Sequence, residues 1–455
     1  MPARFSKPLL FVAMPFGTKT EPGGPRQVDF DALYRQCVEP AAEDAGVEAI
    51  RADEETLGGI IHKPMYERLL LAEIVIADLT FANANVFYEL GVRHAARPRS
   101  TILIYAKVGQ LPFDVAPIRA IPYELDAAGG LVDPAALRAA LAGRLEVAKT
   151  SEEADSPLFQ LLEDYPGITL PHEVTEAFRE RALWVSELTV RATTATAPGS
   201  EEAEAKRTLA EIEKEVAGAL AGELQLQLTL MLSYRAIEAW GDVVRIAETL
   251  PRSAAQVPMV QEQLAMALNR RNGAGDRRRA IAILEEVLAE YGDSPETLGI
   301  LGRCFKSRWQ EKAASGDPGA ADALDAAIDA YERGFASDPR DYYPGINLLT
   351  LLVNRGRAED LAKVAELRPV VAFAVARKGG LRADDYWTRA TVLELAVIGA
   401  DEATARRALS AMLDTDPDSW MMRTTADNLE LFSRVSDGGG TPGWIADIVG
   451  TLRGS

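Results

Sequence analysis

The residues whose types and spacing could do chemistry lie in the segment Ile74–Ala95, which reads IVIADLTFANANVFYELGVRHA. A run of β-branched residues ends in Asp78, a polar turn follows, and a helical pattern then carries Glu89. A buried strand that delivers one carboxylate to its C-terminal end, with a second carboxylate on the next helix, is a common way for open α/β sheets to build ligand sites. The central question is therefore whether Glu89 does chemistry.

The elements that must position these residues alternate along the first 150 residues. The predicted strands are Pro8–Phe16, Val47–Arg51, Ile74–Asp78, Thr101–Ala106 and a weaker one around Ile121–Leu125; the predicted helices are Asp29–Gly46, one that follows a loop with Gly58 and Gly59 and ends at Glu73, Asn85–Ala96 and Ala135–Lys149. This alternation predicts a Rossmann- or flavodoxin-like parallel sheet in the order 2-1-3-4-5, covered on both faces by helices. The loops Met14–Gly17 and Asp78–Asn85 should then meet at its switch point.

Further side chains at this switch point could contact a ligand. Phe16 could stack on a base, and Gly17 would let the backbone approach closely. Asn83 and Asn85 could aim their amides at the ligand, and Asn85 shares a helix face with Glu89 by its spacing of four. The loop 17–28 is rich in Gly and Pro, and it could be a lid or a plain surface loop.

Each of these residues also has a structural explanation. Asp78 could cap the turn that follows it, because Asp readily accepts a hydrogen bond from an N–H two residues on. Asn83 or Asn85 could cap the helix, and Phe16 could be buried in a tight turn. Glu89 could interact with the helix dipole or pair with Arg93 four residues on.

Composition and charge exclude several classes of function. The formal charge of −19 argues against nucleic acid or an anionic membrane as the main partner. The two cysteines, Cys37 and Cys304, are far apart, and no signal peptide or membrane span is recognisable, so a soluble cytoplasmic protein is expected. The three histidines lack metal-ligand spacing, and no phosphate-binding glycine loop is present, so we expect neither a metal site nor an ATP site of the common types.

After residue 150 the pattern becomes helical throughout. Helix-length segments alternate with short breaks, and the motifs at 293–295 and 337–339 recur after about 44 residues. This spacing predicts paired-helix repeats of the tetratricopeptide type that stack into a solenoid. The segment Arg191–Ser200 is small and polar and is predicted to be a mobile connection. The predicted domains are therefore 1–150 (α/β), 151–200 (helical linker) and 201–450 (helical repeats).

The first domain resembles the nucleoside 2-deoxyribosyltransferase superfamily, whose relatives include TIR-like domains that cleave glycosidic bonds. The resemblance is carried by Val12–Gly17, by Asp78-Leu79-Thr80 and by Asn85–Gly91. It implies that Glu89 is the nucleophile, that Asp78 assists, and that the ligand is bound by Met14, Pro15, Phe16, Gly17, Asn83, Asn85, Tyr88 and Arg93. No cofactor would be required, and NAD, another nucleotide or a nucleoside would be the substrate. The transferases share active sites across subunits, so this reading favours a homo-oligomer.

Nearly the whole chain resembles the N-terminal regulatory region of the apoptosis signal-regulating kinases (the MAP3K TRAFs-binding-domain family) and their bacterial relatives. The matching motifs are Tyr88–Arg93, Leu232–Arg235, Ala267–Asn272, Gly275–Arg277 and Gly345–Leu348. No kinase motif is present. The thioredoxin-linked cysteine of those kinases is replaced by Ala106, whereas Glu89 stands where the animal kinases carry histidine.

Two functions remain open from the sequence. In the first, an N-glycosidase-like domain is regulated by a tetratricopeptide-like domain that holds a protein partner, as in bacterial stress or defence signalling. In the second, the chain is a non-catalytic signalling scaffold that binds protein partners through its helical repeats. A closed or apolar pocket at the switch point would favour the scaffold.

Overall fold

The structure is a computed structural model that describes residues 7–22, 24, 26–51, 62–108, 120–162, 164–166, 172–197, 199–217, 223–383, 385–415, 417, 419–433 and 442–454. The predicted loop with Gly58 and Gly59 lies outside these residues. The chain forms two compact units, one made of residues 1–238 with 249–257 and the other of 239–248 with 258–455.

The first unit contains a five-stranded parallel sheet. The described residues of this unit form the strands β1 (Leu9–Ala13), β2 (Thr18–Thr20), β3 (Gln27–Asp29), β4 (Glu48–Arg51), β5 (Ile74–Asp78), β6 (Thr101–Ala106) and β7 (Ala120–Tyr123). The parallel sheet has the order β4-β1-β5-β6-β7, which is the predicted order 2-1-3-4-5. β2 and β3 form a separate antiparallel hairpin in the segment that was predicted to be a loop.

The central strands form because their residues are apolar on both faces. Every residue of β1 and β5 is buried. Alternate residues of β1 enter different cores: Leu10 and Val12 pack in the core that contains Phe30, while Leu9 and Phe11 pack in the core on the opposite face. A sheet that is covered on both faces, as predicted, is the consequence.

The described α-helices up to residue 238 are α1 (Phe30–Leu33), α2 (Glu39–Asp44), α3 (His62–Leu71), α4 (Ala84–Ala96), α5 (Pro134–Thr150), α6 (Pro157–Leu161), α7 (His172–Ala195), α8 (Glu202–Glu215) and α9 (Leu224–Ala236). Residues of α1, α2 and α5 pack in the core on one face of the sheet, and residues of α3, α4 and α7 pack in the core on the other face. A π-helical turn, Tyr34–Val38, joins α1 to α2, so the predicted helix 29–46 is one continuous helix. None of the described helices of either unit is long and apolar enough to cross a bilayer.

The first compact unit extends beyond the predicted domain boundary at residue 150. α7 supplies Phe178 and Ala182 to the core that lies under α3 and α4, and it also packs on α8 and α9. The predicted linker 151–200 is therefore largely helical and packed, and Arg191–Ala195, predicted to be mobile, ends α7. Burial of the apolar face of α7 against the sheet unit explains the difference.

The second unit consists of paired helices. Its described helices are α10 (Trp240–Thr249), α12 (Pro258–Arg271), α13 (Asp276–Tyr291), α14 (Pro295–Ser315), α15 (Ala320–Ser337), α16 (Tyr342–Arg355), α17 (Ala358–Arg377), α18 (Tyr386–Ile398), α19 (Glu402–Leu413), α20 (Ser419–Ser433) and α21 (Gly443–Arg453). The short helix between α10 and α12, α11 (Arg252–Ala255), belongs to the first unit. From α12 onward each even-numbered helix packs on the helix that follows it, which gives five pairs in the described part of this unit. This confirms the predicted solenoid-like helical architecture.

An electrostatic clasp recurs at three consecutive turns within these pairs. A cation at one position bonds an Asp five residues later: Arg271 with Asp276 at 2.7 and 2.8 Å, Lys312 with Asp317 at 2.8 Å, and Arg355 with Asp360 at 2.9 and 2.5 Å. The motifs around 267–272 and 275–277 that carried the kinase resemblance thus fold into a turn that joins two helices. A search of the sequence for a cation and an Asp at this spacing would have found the repeat.

Candidate functional site

The loop after β1 and the loop after β5 lie side by side, because these two strands are neighbours in the sheet. In the first loop Met14 and Pro15 are buried, and Phe16 and Gly17 are half-buried. Gly17 has φ +58°, in the left-handed region that favours glycine, and its N–H donates to Asp31 Oδ1 at 3.0 Å. Gly17 therefore shapes the turn, whereas Met14 and Pro15 are core residues.

A cation occupies the space around Phe16. The Arg51 guanidinium lies 5.0 Å from the ring centroid of Phe16 and 5.0 Å from that of Tyr34, and it pairs with Asp31 at 2.5 Å. Burial opposes ionisation of Asp31, but the bonds from the Gly17 N–H and from Arg51 outweigh it and lower its pKa. The Phe16 ring, for which we predicted base stacking, thus already contacts a cation at the carboxyl edge of the sheet.

Asp78 is fully buried at the end of β5. Its Oδ1 accepts the backbone N–H of Thr80 at 2.9 Å, and its Oδ2 accepts the Tyr123 hydroxyl at 3.0 Å. The Thr80 and Tyr123 hydroxyls lie 2.7 Å apart, and Thr80 Oγ1 also accepts the N–H of Ala106 at 2.9 Å. Burial raises the pKa of Asp78 to about 6. This network joins the C-terminal ends of β5, β6 and β7. The bond from the Thr80 N–H is the turn cap that we described as the structural alternative for Asp78.

The turn after Asp78 has an unusual backbone. Phe81 and Ala82 have φ of +61° and +50°, a left-handed conformation that is uncommon for residues other than glycine. The Phe81 ring packs edge-on against Phe30, with 6.2 Å between the ring centroids. Each such conformation costs on the order of 1–3 kcal/mol and persists only where the surroundings impose it. The strain lies at the switch point, where the sequence predicted a ligand site.

The asparagines and Tyr88 occupy the start and the outer face of α4. Asn83 is the N-cap, and its Oδ1 accepts the N–H groups of Asn85 at 3.0 Å and Val86 at 3.3 Å. Asn85 is exposed in the first turn. Tyr88 is 55% exposed, and its hydroxyl lies 2.7 Å from that of Tyr66 on α3. Asn83 thus has the structural role of a cap, while Asn85 and Tyr88 remain accessible.

Glu89 lies on the inner face of α4. Its side chain is only 3% exposed, and it lies between the buried residues Val86, Leu90 and Arg93 of the same helix. Asn85 is exposed, so the two residues predicted to share one ligand differ in their access to solvent. Residues 52–61 and 109–119, which follow β4 and β6 in the sequence, lie outside the described residues.

Arg93 is fully buried and serves as a tie between backbone segments. Its guanidinium donates to the carbonyl oxygens of Leu69 and Ala72, both at 2.9 Å, and of Glu73 at 3.1 Å. Longer bonds of 3.4 Å reach two further carbonyls and one threonine hydroxyl, at Arg99, Ser100 and Thr101. Burial lowers the pKa of Arg93 to about 9. None of these six acceptors belongs to Glu89, and the side chain closes the end of α3 where we predicted a ligand contact.

Burial shifts the pKa values of one histidine, His94, and of both cysteines, Cys37 and Cys304. Burial and the charge of Arg93 lower the pKa of His94 to about 4, so its ring is neutral at physiological pH. Burial raises the pKa of the Cys37 thiol to about 11 and that of Cys304 to about 12, which makes both poor nucleophiles. Among the described residues no group of three or more His, Cys, Asp or Glu could hold a metal ion.

Sequence reasoning missed the partners that decide these roles. Tyr123 and Thr80 bond Asp78, and Arg51 and Asp31 surround Phe16. Thr80, Arg51 and Tyr123 all lie at or just after the C-terminal end of a sheet strand. Polar residues at the ends of adjacent strands were the signal that could have found them.

The chain thus combines a parallel α/β unit, whose carboxyl edge is braced by Asp78, with a unit of paired-helix repeats. Residues 86–441, more than half of the chain, match the family model of the MAP3K TRAFs-binding domain. The chain belongs to this family, which confirms the resemblance to the regulatory region of the apoptosis signal-regulating kinases. The likeness to deoxyribosyltransferases and TIR-like domains stays a prediction, because many α/β folds share this sheet order.

Its relatives are animal kinases. Mitogen-activated protein kinase kinase kinase nsy-1 of Caenorhabditis elegans is 31% identical over 222 residues, which are 46% of this chain and 14% of that kinase. Mitogen-activated protein kinase kinase kinase 15 of Mus musculus is 29% identical over 216 residues, 46% of this chain and 16% of that kinase. Mitogen-activated protein kinase kinase kinase 6 of Homo sapiens is 23% identical over 389 residues, 79% of this chain and 29% of that kinase. The chain thus spans less than a third of the length of each.

Proposed function

We propose that this chain is a non-catalytic signalling module that binds a protein partner through its helical-repeat unit. The observation that carries the proposal is the family match, which extends across α4 and nearly all of the paired helices. Stacked helix pairs present long continuous faces that suit protein segments better than small substrates. A partner of the TRAF type is the first candidate, because the family is described as TRAFs-binding.

The candidate site in the first unit supports a structural role over a catalytic one. Asp78 uses both carboxylate oxygens within the fold, and the Arg93 guanidinium is bonded to six oxygen atoms. Asn83 caps α4. One predicted catalytic residue, Asp78, and two predicted ligand contacts, Asn83 and Arg93, are therefore engaged in holding strands and helices together. We infer that this unit serves mainly as a folded platform.

Calorimetric titration of the full chain with purified TRAF domains tests the proposal. We expect a dissociation constant of roughly 1–100 µM, as is common for transient signalling contacts. Hydrogen exchange should show protection within residues 258–454 and none in the sheet. The Asp78→Asn variant is the control and should bind equally well. Absence of binding to any TRAF domain, or protection confined to the sheet unit, would contradict the proposal.

The second candidate is cleavage of the N-glycosidic bond of a nucleoside, a nucleotide or NAD. It is favoured by the two carboxylates of Asp78 and Glu89 at one strand–helix junction and by the strained turn at Phe81 and Ala82. Glu89 would attack the anomeric carbon and expel the base, and water would then release the sugar. Incubation with NAD and a nucleoside panel tests it. Base release that Glu89→Gln abolishes supports the enzyme; release that is unaffected by this change, or none at all, eliminates it.

A further inference from the structure

Helix α20 does not pack as a regular repeat would. In a solenoid each repeat contacts only its neighbours, so α20, in the fifth pair, should touch only the fourth pair before it. It also packs on α16 of the third pair, where Asn354 Nδ2 donates to the carbonyl oxygen of Leu431 at 3.0 Å. On α18 the Tyr386 hydroxyl lies 2.9 Å from Thr425 Oγ1. α20 therefore lies across the first helices of several pairs.

A buried polar network joins α20 to three other helices. The Nζ of Lys306, on α14, donates to Asn428 Oδ1 at 2.8 Å and to Asn347 Oδ1, on α16, at 3.5 Å. Asn428 Nδ2 donates to Glu394 Oε1, on α18, at 2.8 Å. Lys306 is 3% exposed and Glu394 is 5% exposed. A single side chain of α20, Asn428, thus bridges a buried cation and a buried anion.

The apolar residues of α20 belong to two different cores. Leu431 packs in the core of α14 to α17, which includes Trp309 and Leu348. The adjacent residues of α20, Leu429 and Phe432, pack in the core of α18 to α21. α20, together with α18, therefore joins the last two helix pairs to the preceding ones.

This contact is built for selectivity more than for stability. Burial and the neighbouring Arg303 lower the pKa of Lys306 to about 7, against the opposing influence of Glu394 and Asp427. An apolar contact of equal volume would avoid this desolvation cost, which is why buried ion pairs are often weaker than their apolar replacements. A segment that covers this face without an acceptor for Lys306 would leave its Nζ with the longer 3.5 Å contact to Asn347 Oδ1 in place of the 2.8 Å bond to Asn428.

The connection from α17 to α18 contains two glycines in left-handed backbone conformations. Gly379 and Gly380 have φ of +106° and +56°. A residue with a side chain would be strained in these backbone conformations, whereas glycine adopts them readily. A pair of glycines at the end of a helix is a common hinge, since it accepts large changes in φ and ψ.

We propose that the face of α14 and α16 that carries Lys306 and Asn347 is a docking site for a helical protein segment, and that α20 occupies it in this structure. A competing segment has the chemistry of α20: an amphipathic helix with an amide or carboxylate where Asn428 lies and a leucine three residues later. Such a partner exchanges with α20. The inference deepens the proposed function and depends on it only for the existence of a partner.

Acylation of Lys306 in the full chain at neutral pH, quantified by peptide mass spectrometry, measures how often α20 leaves the face of α14 and α16. In the wild-type chain Lys306 should react far more slowly than the exposed Lys378. Asn428→Ala combined with Leu431→Ala should accelerate acylation of Lys306 by at least roughly tenfold, because α20 loses its acceptor and its apolar anchor. The milder Asn354→Ala, which removes one bond to α20, should give a smaller increase.

A matched control separates release of α20 from general destabilisation. Leu284→Ala removes an equally buried leucine from α13 and should leave the Lys306 rate unchanged. Equal acceleration by this control, or equal Lys306 rates in the wild-type chain and in both α20 variants, would overturn the proposal. Circular dichroism identifies a variant that fails to fold, and Asn354→Ala then decides.

Exchange with a partner segment is tested with the sequence of α20 itself. A peptide spanning Ser419–Ser433, added in excess to the double variant, should restore the slow acylation of Lys306. The same peptide with Asn428→Ala should not. If neither peptide slows acylation, or both do so equally, docking of this chemistry is refuted. These measurements need no TRAF protein. A negative result here therefore does not contradict TRAF binding, and a negative TRAF titration does not affect the interpretation of the acylation rates.

Discussion

Replacement of Asp78 by Asn tests directly whether the buried carboxylate at the sheet edge carries a charge that destabilises the fold. Asn can keep both contacts, since its Oδ1 can accept the Thr80 N–H and its Nδ2 can donate to the Tyr123 hydroxyl oxygen. The change removes only the buried charge. Because the bracing contacts are kept and the buried charge is lost, this variant should be more stable than the wild type at alkaline pH.

The magnitude follows from the pKa. Burial raises the pKa of Asp78 from 3.8 to about 6, which corresponds to about 3 kcal/mol because each pH unit is worth about 1.36 kcal/mol. The native state therefore binds more protons than the unfolded state between these two values, and the free energy of unfolding of the wild type falls as the pH rises from about 4 to about 6. The Asn variant lacks this loss.

The assay is urea unfolding of both proteins at pH 4 and at pH 8. Hydrogen exchange of the β5 amides is the probe that reports unfolding of the sheet. The advantage of the Asn variant over the wild type should grow by about 2 kcal/mol between the two pH values, because the unfolded carboxyl is already partly ionised at pH 4. This difference of differences cancels any small change in hydrogen-bond geometry. An advantage that stays constant with pH, or that shrinks at pH 8, would falsify the assignment of a buried, destabilising charge to Asp78.

Other substitutions test the remaining structural roles. Arg93→Met should destabilise the first unit by about 3–5 kcal/mol, because it orphans buried carbonyl groups at the end of α3; a loss under 1 kcal/mol in urea unfolding would contradict the tie. Asn83→Ala should cost about 1 kcal/mol through loss of the α4 cap, and an unchanged melting temperature would argue against that cap. Asp360→Ala should cost about 1–3 kcal/mol in the second unit, since Arg355 loses its bidentate partner. Equal hydrogen exchange of α16 and α17 in variant and wild type would show that this clasp is unimportant.

Much of the sheet could be predicted because its signals are local. The runs Ile74–Asp78 and Thr101–Ala106 are short, β-branched and flanked by helical patterns, and both strands have the predicted bounds. Sheet order followed from the alternation, since parallel strands joined by helices allow few arrangements. The β2–β3 hairpin was missed because exposed Thr and Lys side chains carry no apolar alternation.

The roles of the site residues could not be predicted to the same extent, because each depends on residues distant in the chain. Asp78 is held by Tyr123, 45 residues later, and Arg93 by carbonyl groups more than 20 residues earlier. Asp78 and Arg93, for which we predicted a catalytic role and a ligand contact, are thus engaged within the fold. Glu89 was recognised as a residue of interest, but its 3% exposure depends on the packing of α4 against the sheet.

The sequence alone determined the two kinds of architecture, the order of the sheet and the family, because apolar periodicity and short motifs depend on near neighbours in the chain. Tertiary structure alone decided that Asp78 braces three strands, that Arg93 closes the end of α3, and that Asn428 links Lys306 to Glu394 across 122 and 34 residues of chain. The physical reason is desolvation: a buried charge must find its partners wherever the fold brings them, and no local pattern records where that is.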